Sequence, residues 1–235
     1  GKRIRPRLTL LVAASCSDFD GTFPVDLAVA GELIHTASLL HDDVIDEGVQ
    51  RRGIPTARMV WSNTASVLAG DHCLSSAVEL IRGVDTGETL AESLAAVKDL
   101  VSGELLQLES KGSLMVDEER YREICRLKTA ALFVWCARAG ARFAGATNAQ
   151  IEAVGEMAQK VGLAFQMRDD LLDMTGDDRF GKRLLDDLRE GRMTLPVIYA
   201  VRENPELRVE LEGMFAEPDE LTAAGLHGFR QHVEA

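Results

Sequence analysis

Apolar residues recur at three- and four-residue spacing along nearly all 235 residues, and no run alternates convincingly at period two. A chain with that pattern buries helix faces rather than sheet faces, so it folds as an all-α bundle. Six prolines occur, and Pro6, Pro24, Pro55, Pro205 and Pro218 stand at helix starts or in loops. The spacing predicts helices over 5–17, 25–46, 55–83, 88–110, 117–144 and 148–175, with shorter ones over 193–203, 205–215 and 219–233. Gly48, Gly53, Gly145 and Gly181 mark the breaks. No low-complexity linker divides the chain. At 46% hydrophobic it can bury a full core as one domain, 1–235.

Two acidic clusters inside this helical pattern share one internal spacing: Asp42-Asp43-Val44-Ile45-Asp46 and Asp169-Asp170-Leu171-Leu172-Asp173. On a helix the first and last Asp of each lie about 40° apart, one turn from each other. Like charges so placed repel by roughly 0.2–0.5 kcal/mol per pair. One such cluster is as often a solvated face or a cap as a site. Here both follow mostly apolar segments, His35 to Leu40 and Val161 to Met167, so the carboxylates emerge from buried helices and point to a cation. Oxygen-only ligands favour Mg²⁺ over zinc, and Mg²⁺ usually bridges a few carboxylates to a substrate phosphate. Asp42, Asp43, Asp46, Asp169, Asp170 and Asp173 are therefore candidate metal ligands, and a diphosphate held between two helices is the expected ligand.

The net charge of −12 and pI near 4.9 argue against nucleic acid or an anionic membrane surface as partner. Cys16, Cys73, Cys125 and Cys136 lack paired metal-type spacing and read as reduced core thiols of a cytoplasmic protein. No secretory signal is read. The most membrane-like stretch, 129–146, carries Arg138 and Arg142, so a core helix is expected there and no stable membrane insertion. Basic residues gather at Gly1-Lys2-Arg3-Ile4-Arg5-Pro6, Arg51-Arg52-Gly53, Lys128-Thr129 and Gly181-Lys182. Each alone could be a solvated arm or plain surface charge, but Arg forks suit bidentate phosphate contacts and Lys supplies a compact charge.

In chain order, GKRIRP, His35-x5-His41 leading into the first acidic cluster, RRG, Ala69-Gly70-Asp71, Lys128-Thr129-Ala130, Phe165-Gln166-x2-DDLLD, GK and Thr194-Leu195-Pro196 resemble the trans-isoprenyl diphosphate synthases, or polyprenyl synthetases. The resemblance implies an isoprenoid synthase-type helical bundle around a central apolar cavity, a single such domain over 1–235 with its terminal helices absent, and a homodimer. It implies condensation of isopentenyl diphosphate with an allylic diphosphate, assisted by three Mg²⁺ ions. In that scheme Asp42 and Asp46 hold two ions, and Asp169, with Asp170 and Asp173 near it, holds the third. Arg51, Lys128 and Lys182 hold the allylic diphosphate, with Thr129 and Gln166 close by. Lys2, Arg5, His35 and Arg52 form the pocket for isopentenyl diphosphate. Asp42, Asp46, Lys128, Asp169 and Lys182 make up the catalytic set.

Helix geometry supports part of this independently. His35 precedes Asp42 by seven residues and Gln166 precedes Asp173 by seven, which aligns each pair to within roughly 20°. A core histidine with one hydrogen bond is the plain alternative for His35, and His41 is left with a supporting role. Small residues at Ala37 and Ser38 leave room for a growing chain, so a product of geranylgeranyl length or longer is expected. The chain departs from the family pattern in opening at GKRIRP, ending at residue 235, and placing Leu185 where a second glycine is common. A class I terpene cyclase and a non-catalytic partner subunit of a heteromeric synthase are the competing readings. DDLLD together with GKRIRP and RRG argues against the first, and two intact acidic clusters argue against the second.

Overall fold

The computed structural model describes residues 2–16, 19–51, 53–85, 87–175 and 186–216. In order they form α1 (Ile4–Ser15), α2 (Val25–Ile45), a hairpin of β1 (Gln50–Arg51) and β2 (Ile54–Pro55), α3 (Ala57–Val60), α4 (Asn63–Val84) and α5 (Glu88–Ser110). Then follow α6 (Glu118–Cys125), a π-helical turn (Arg126–Ala130), α7 (Ala131–Phe143), α8 (Asn148–Thr175), α9 (Asp186–Arg189), α10 (Leu195–Glu203) and α11 (Pro205–Ala216). The helix expected over 219–233 lies outside the described residues.

Side-chain caps account for several helix starts. Ser62 Oγ accepts from the Ala65 N–H at 3.2 Å ahead of α4. Asp85 accepts from the Gly87 and Thr89 amides at 2.7 and 2.9 Å ahead of α5. Asp117 accepts from the Arg120 amide at 2.8 Å to open α6. Thr147 and Gln150 satisfy each other's backbone N–H groups, at 2.8 and 3.4 Å, before α8; this is the reciprocal capping box that Thr-x-x-Gln predicts. The Ser62 cap also explains a departure from expectation. The helix predicted over 55–83 is two helices, because the chain turns sharply at Ser62 (φ 147°) before α4 begins. The helix predicted over 117–144 is likewise interrupted, by the π turn.

The chain divides into two compact units, Gly1–Ser102 with Arg126–Leu163, and Gly103–Cys125 with Ala164–Ala235. In the first, Leu27, Ala30 and Ile34 of α2 pack with Ala77 and Ile81 of α4, Ala96 of α5, and Leu132, Trp135, Cys136 and Ala139 of α7. Each large apolar side chain buried this way contributes roughly 1.5–3 kcal/mol. Trp135 stays satisfied in the core because its indole N–H donates to the Thr89 carbonyl at 3.0 Å. The two arginines of α7 pair with acids at its edge. Arg142 donates to both Glu92 oxygens at 3.0 Å, and Arg138 pairs with Glu152 at 2.5 Å. So α7 is a core helix, as its arginines predicted, and among the described residues no helix is long and apolar enough to cross a membrane.

In the second unit, Leu188, Val197, Leu207 and Leu211 are buried. The Tyr199 phenol donates to Glu118 Oε2 at 2.8 Å, tying α10 to α6, and the Gly112 N–H donates to the Gly191 carbonyl at 2.8 Å.

Within the first unit, α8 reaches the π turn through a glycine. A Cβ at Gly162 would lie 2.6 Å from Ala130 Cα, a distance that forces the two segments apart. Gly162→Ala should therefore lower the melting temperature, at a cost of about 1–3 kcal/mol typical of overpacking. Gly213→Ala on α11, which meets open space, should leave it unchanged or slightly raised. Thermal unfolding followed by circular dichroism reads both.

Candidate active site

The first acidic cluster occupies the last turn of α2 and its cap: Asp46 is the C-cap residue, and its N–H donates to the Asp42 carbonyl at 2.8 Å. That is the negative end of the helix dipole, where each carboxylate is disfavoured by about 0.3–1 kcal/mol, and α2 has no basic residue in its last turn. Three carboxylates there create a demand for positive charge. Arg51, brought back by the β1–β2 hairpin, meets part of it, placing Nε and a terminal guanidinium nitrogen 3.0 and 2.9 Å from Asp43 Oδ1. Asp43 is buried, whereas Asp42 and Asp46 are half-buried. The structure thus joins two residues to which the sequence reading gave separate roles, Asp43 for metal and Arg51 for diphosphate.

His41 acquires a role that spacing did not suggest. Its Nε2 lies 3.2 Å from the Val67 carbonyl and 3.3 Å from Asp71 Oδ1. Both partners are acceptors, which places the proton on Nε2. The ring rests on the backbone of α4, since a Cβ at Gly70 would stand 2.3 Å from Nε2. Ala69-Gly70-Asp71 therefore makes sense as a seat for His41. With Ser66 Oγ donating to the Leu40 carbonyl at 2.9 Å, it fixes α2 against α4 beside Asp42.

Other predicted site residues of the first unit lie on α1, α2 and the π turn. Burial pulls the Arg5 guanidinium below its usual value; it stacks 4.8 Å from the centre of the Phe133 ring, and its buried Nε has no hydrogen-bond partner among the described residues. A desolvated guanidinium with an unmet donor fits an anionic ligand. Lys2 is exposed, and His35 is half-buried with its carbonyl accepting from Ser38 Oγ at 2.9 Å. Ala37 is buried in α2 and Ser38 half-buried. Lys128 and Thr129 sit on the π turn, half-buried and buried respectively. Such turns are frequent at functional sites because the extra residue re-aims side chains without ending the helix. Arg52 and Lys182 lie outside the described residues.

In the second unit the acids of the other cluster fall in the last two turns of α8; only Asp173 is in the last turn, which has no basic residue. They are not equivalent. Asp169 is half-buried. Asp173 Oδ2 accepts from the Asp187 N–H of α9 at 3.2 Å. Asp170 is 4% exposed, and accepts from the Tyr121 phenol at 2.5 Å and from Gln166 Nε2 at 2.8 Å. Burial pushes Asp170 up to about 6, partly offset by those two hydrogen bonds. Burial also raises the Tyr121 phenol, and pushes the Cys125 thiol up to about 12. Tyr121 carries no motif and was not singled out in the sequence; a buried phenol near an acidic cluster is visible only in three dimensions.

Among the described residues no three His, Cys, Asp or Glu side chains gather closely enough to hold a metal unaided. Of the six candidate ligands, Asp42, Asp46 and Asp169 are partly exposed, and Asp43, Asp170 and Asp173 are buried. A cavity of about 230 Å³ lies elsewhere in the first unit, lined by Glu92, Asp99, Arg126, Trp135, Arg138 and Glu156 among others. It contains none of the predicted site residues and is not the apolar tunnel expected from the resemblance.

A family model described as polyprenyl synthetase matches residues 1–224. The chain is 40% identical over 203 residues to an octaprenyl diphosphate synthase of Haemophilus influenzae, covering 86% of this chain and 61% of that protein. It thus spans less than two thirds of the length of the first curated relatives it matches. A crystal structure of a decaprenyl diphosphate synthase from Rhodobacter capsulatus superposes with a TM-score of 0.91 at 37% identity, covering 99% of this chain and 72% of that one. A polyprenyl synthase from Caulobacter crescentus, crystallised with calcium and isoprenyl diphosphate, superposes at 0.90 and 37% identity, covering 100% of this chain and 71% of the other.

The raised value at Asp170 has a definite sign. Its folded value, about 6, lies above the ordinary carboxylate value, so the folded state favours the protonated acid and loses stability once the group ionises. In metal-free buffer the wild type should therefore lose stability relative to Asp170→Asn as pH rises from about 4 to 6. Urea unfolding across that range reads it, and parallel curves would count against a desolvated carboxylate.

Proposed function

The chain belongs to the polyprenyl synthetase family, and from that premise we propose that it is a Mg²⁺-dependent prenyltransferase joining isopentenyl diphosphate to an allylic diphosphate. The observation that carries the reading is the placement of one acidic cluster in the last turn and cap of α2 and of its counterpart in the last two turns of α8. Asp42 and Asp46, and separately Asp169, would hold Mg²⁺, which when bound supplies neutralising charge for a departing diphosphate. Arg5, with its buried unmet donor, and His35 belong to the isopentenyl diphosphate pocket together with Lys2 and Arg52. Lys128, Thr129, Gln166 and Lys182 attend the allylic diphosphate. Arg51 acts there through Asp43, whose charge it balances.

In the proposed reaction the allylic C–O bond breaks, and its electron pair leaves with the diphosphate. The double bond of isopentenyl diphosphate then forms the new C–C bond, and a proton passes to the released diphosphate. Basic side chains aimed at the leaving group stabilise the charge that develops on it. Apolar walls keep water from the allylic cation. No Ser-His-Asp or Cys-His arrangement is needed, and none of the four cysteines is in a disulfide.

Relatives named for octaprenyl and decaprenyl products support a product of geranylgeranyl length or longer. Small side chains at Ala37 and Ser38 leave that space along α2. A homodimer is part of the same proposal, built on the exposed apolar side chains Val67 and Leu68 of α4 and Leu94 and Val101 of α5.

Incubation with Mg²⁺, labelled isopentenyl diphosphate and a panel of allylic primers, followed by sizing of the dephosphorylated products, tests the activity. Asp42→Ala and Asp169→Ala should each abolish turnover with the helical circular dichroism signal intact. Cyclised hydrocarbon in place of longer prenyl alcohol would instead support a terpene cyclase, and no turnover without an added partner would support a regulatory subunit. Ala37→Phe or Ser38→Phe should shift products to shorter chains, and an unchanged distribution would displace the tunnel from this face of α2.

A further inference from the structure

Asp170 is used differently from its neighbours in the second cluster. Each of its oxygens has a protein donor: the Tyr121 phenol at Oδ2, at 2.5 Å, and Gln166 Nε2 at Oδ1, at 2.8 Å. Tyr121 is itself only 5% exposed. A buried carboxylate keeps its charge only while such donors are in place, and removing one leaves part of that charge uncompensated. Asp173 Oδ2 accepts from the α9 backbone, and Asp169 is more exposed than either.

The helix that carries the phenol is well anchored. Its first turn is capped by Asp117, Tyr199 donates to Glu118, and Arg120 pairs with Glu109 at 3.0 Å. Asp170 is thus held from two sides, by a phenol on a fixed helix and by a carboxamide one turn earlier on its own. The same contact sets the carboxamide's direction. An ionised carboxylate only accepts, so the NH₂ of Gln166 faces Asp170 and its Oε1 faces away.

We propose that Tyr121 is a positioning residue for the transfer reaction, holding Asp170 so that the Gln166 carboxamide and the turn of α8 bearing Asp169 are locked in one orientation. The inference rests on the transferase reading above and adds to it a residue that touches neither metal nor substrate.

Tyr121→Phe in the whole protein removes only the phenolic oxygen. Assayed well below its melting temperature, the variant should lose roughly 10- to 100-fold in kcat, as supporting hydrogen bonds near metal sites typically do. KM for both diphosphates should hardly move. Adding Asp170→Asn to it should cost clearly less than the two single losses combined, because both changes disrupt the Tyr121–Asp170 bond. The side-chain amide signals of Gln166, assigned in ¹⁵N-glutamine-labelled protein by their loss in Gln166→Glu, should shift in Tyr121→Phe. A variant with wild-type kcat overturns the proposal, as do additive losses in the double variant or unmoved Gln166 signals. A wild type that turns over no diphosphate sinks the transferase reading instead, and the amide signals then judge the brace alone.

Discussion

Carboxylates stand at the carboxyl-terminal ends of α2 and α8, where the helix dipole already concentrates negative charge. Neither helix offers a basic residue in its last turn to relieve it. A folded chain tolerates this arrangement when positive charge or hydrogen-bond donors come to it. Arg51 neutralises Asp43 through a doubly bonded contact, while Tyr121 and Gln166 satisfy Asp170 without neutralising it. Asp42, Asp46 and Asp169 stay partly exposed, and they are the acids proposed to meet a divalent cation bound to a diphosphate.

The scaffold around each cluster is rigid where it needs to be. Near the first, His41 is seated on Gly70 and pairs with Asp71, so α2 and α4 are locked beside the acids. At Gly162, α8 lies against the π turn that carries Lys128 and Thr129. Glycines at these two points allow contacts that a single methyl group would prevent. Near the second cluster, α6 is fixed through Tyr199 and Arg120, which gives the Tyr121 phenol a stable base.

Much of this was legible in the sequence, for identifiable reasons. The helices follow from apolar periodicity, and Thr147 with Gln150 marks the start of α8 by local chemistry alone. Membership in the family followed from motifs in order, and the matches to known proteins agree. Contacts between distant segments were not legible. Tyr121 and Asp170 are separated by 49 positions, and nothing in the spacing of either announces the other. Arg51 was recognisable as useful charge, but its partner depended on the hairpin folding back onto α2. Ala69-Gly70-Asp71 was recognisable as a motif, while its purpose became clear only with the His41 ring resting on Gly70. The π turn escaped because apolar periodicity at this resolution does not distinguish one extra residue per turn.

Binding, rather than turnover, tests the electrostatic account most directly. Calorimetric titration of Mg²⁺ into the protein with inorganic pyrophosphate present should show saturable binding. That binding should be lost or much weakened in Asp42→Asn and in Asp169→Asn, each still fully helical. Equal Mg²⁺ affinity in the wild type and both variants would contradict the claim that these helix ends are built to take a cation.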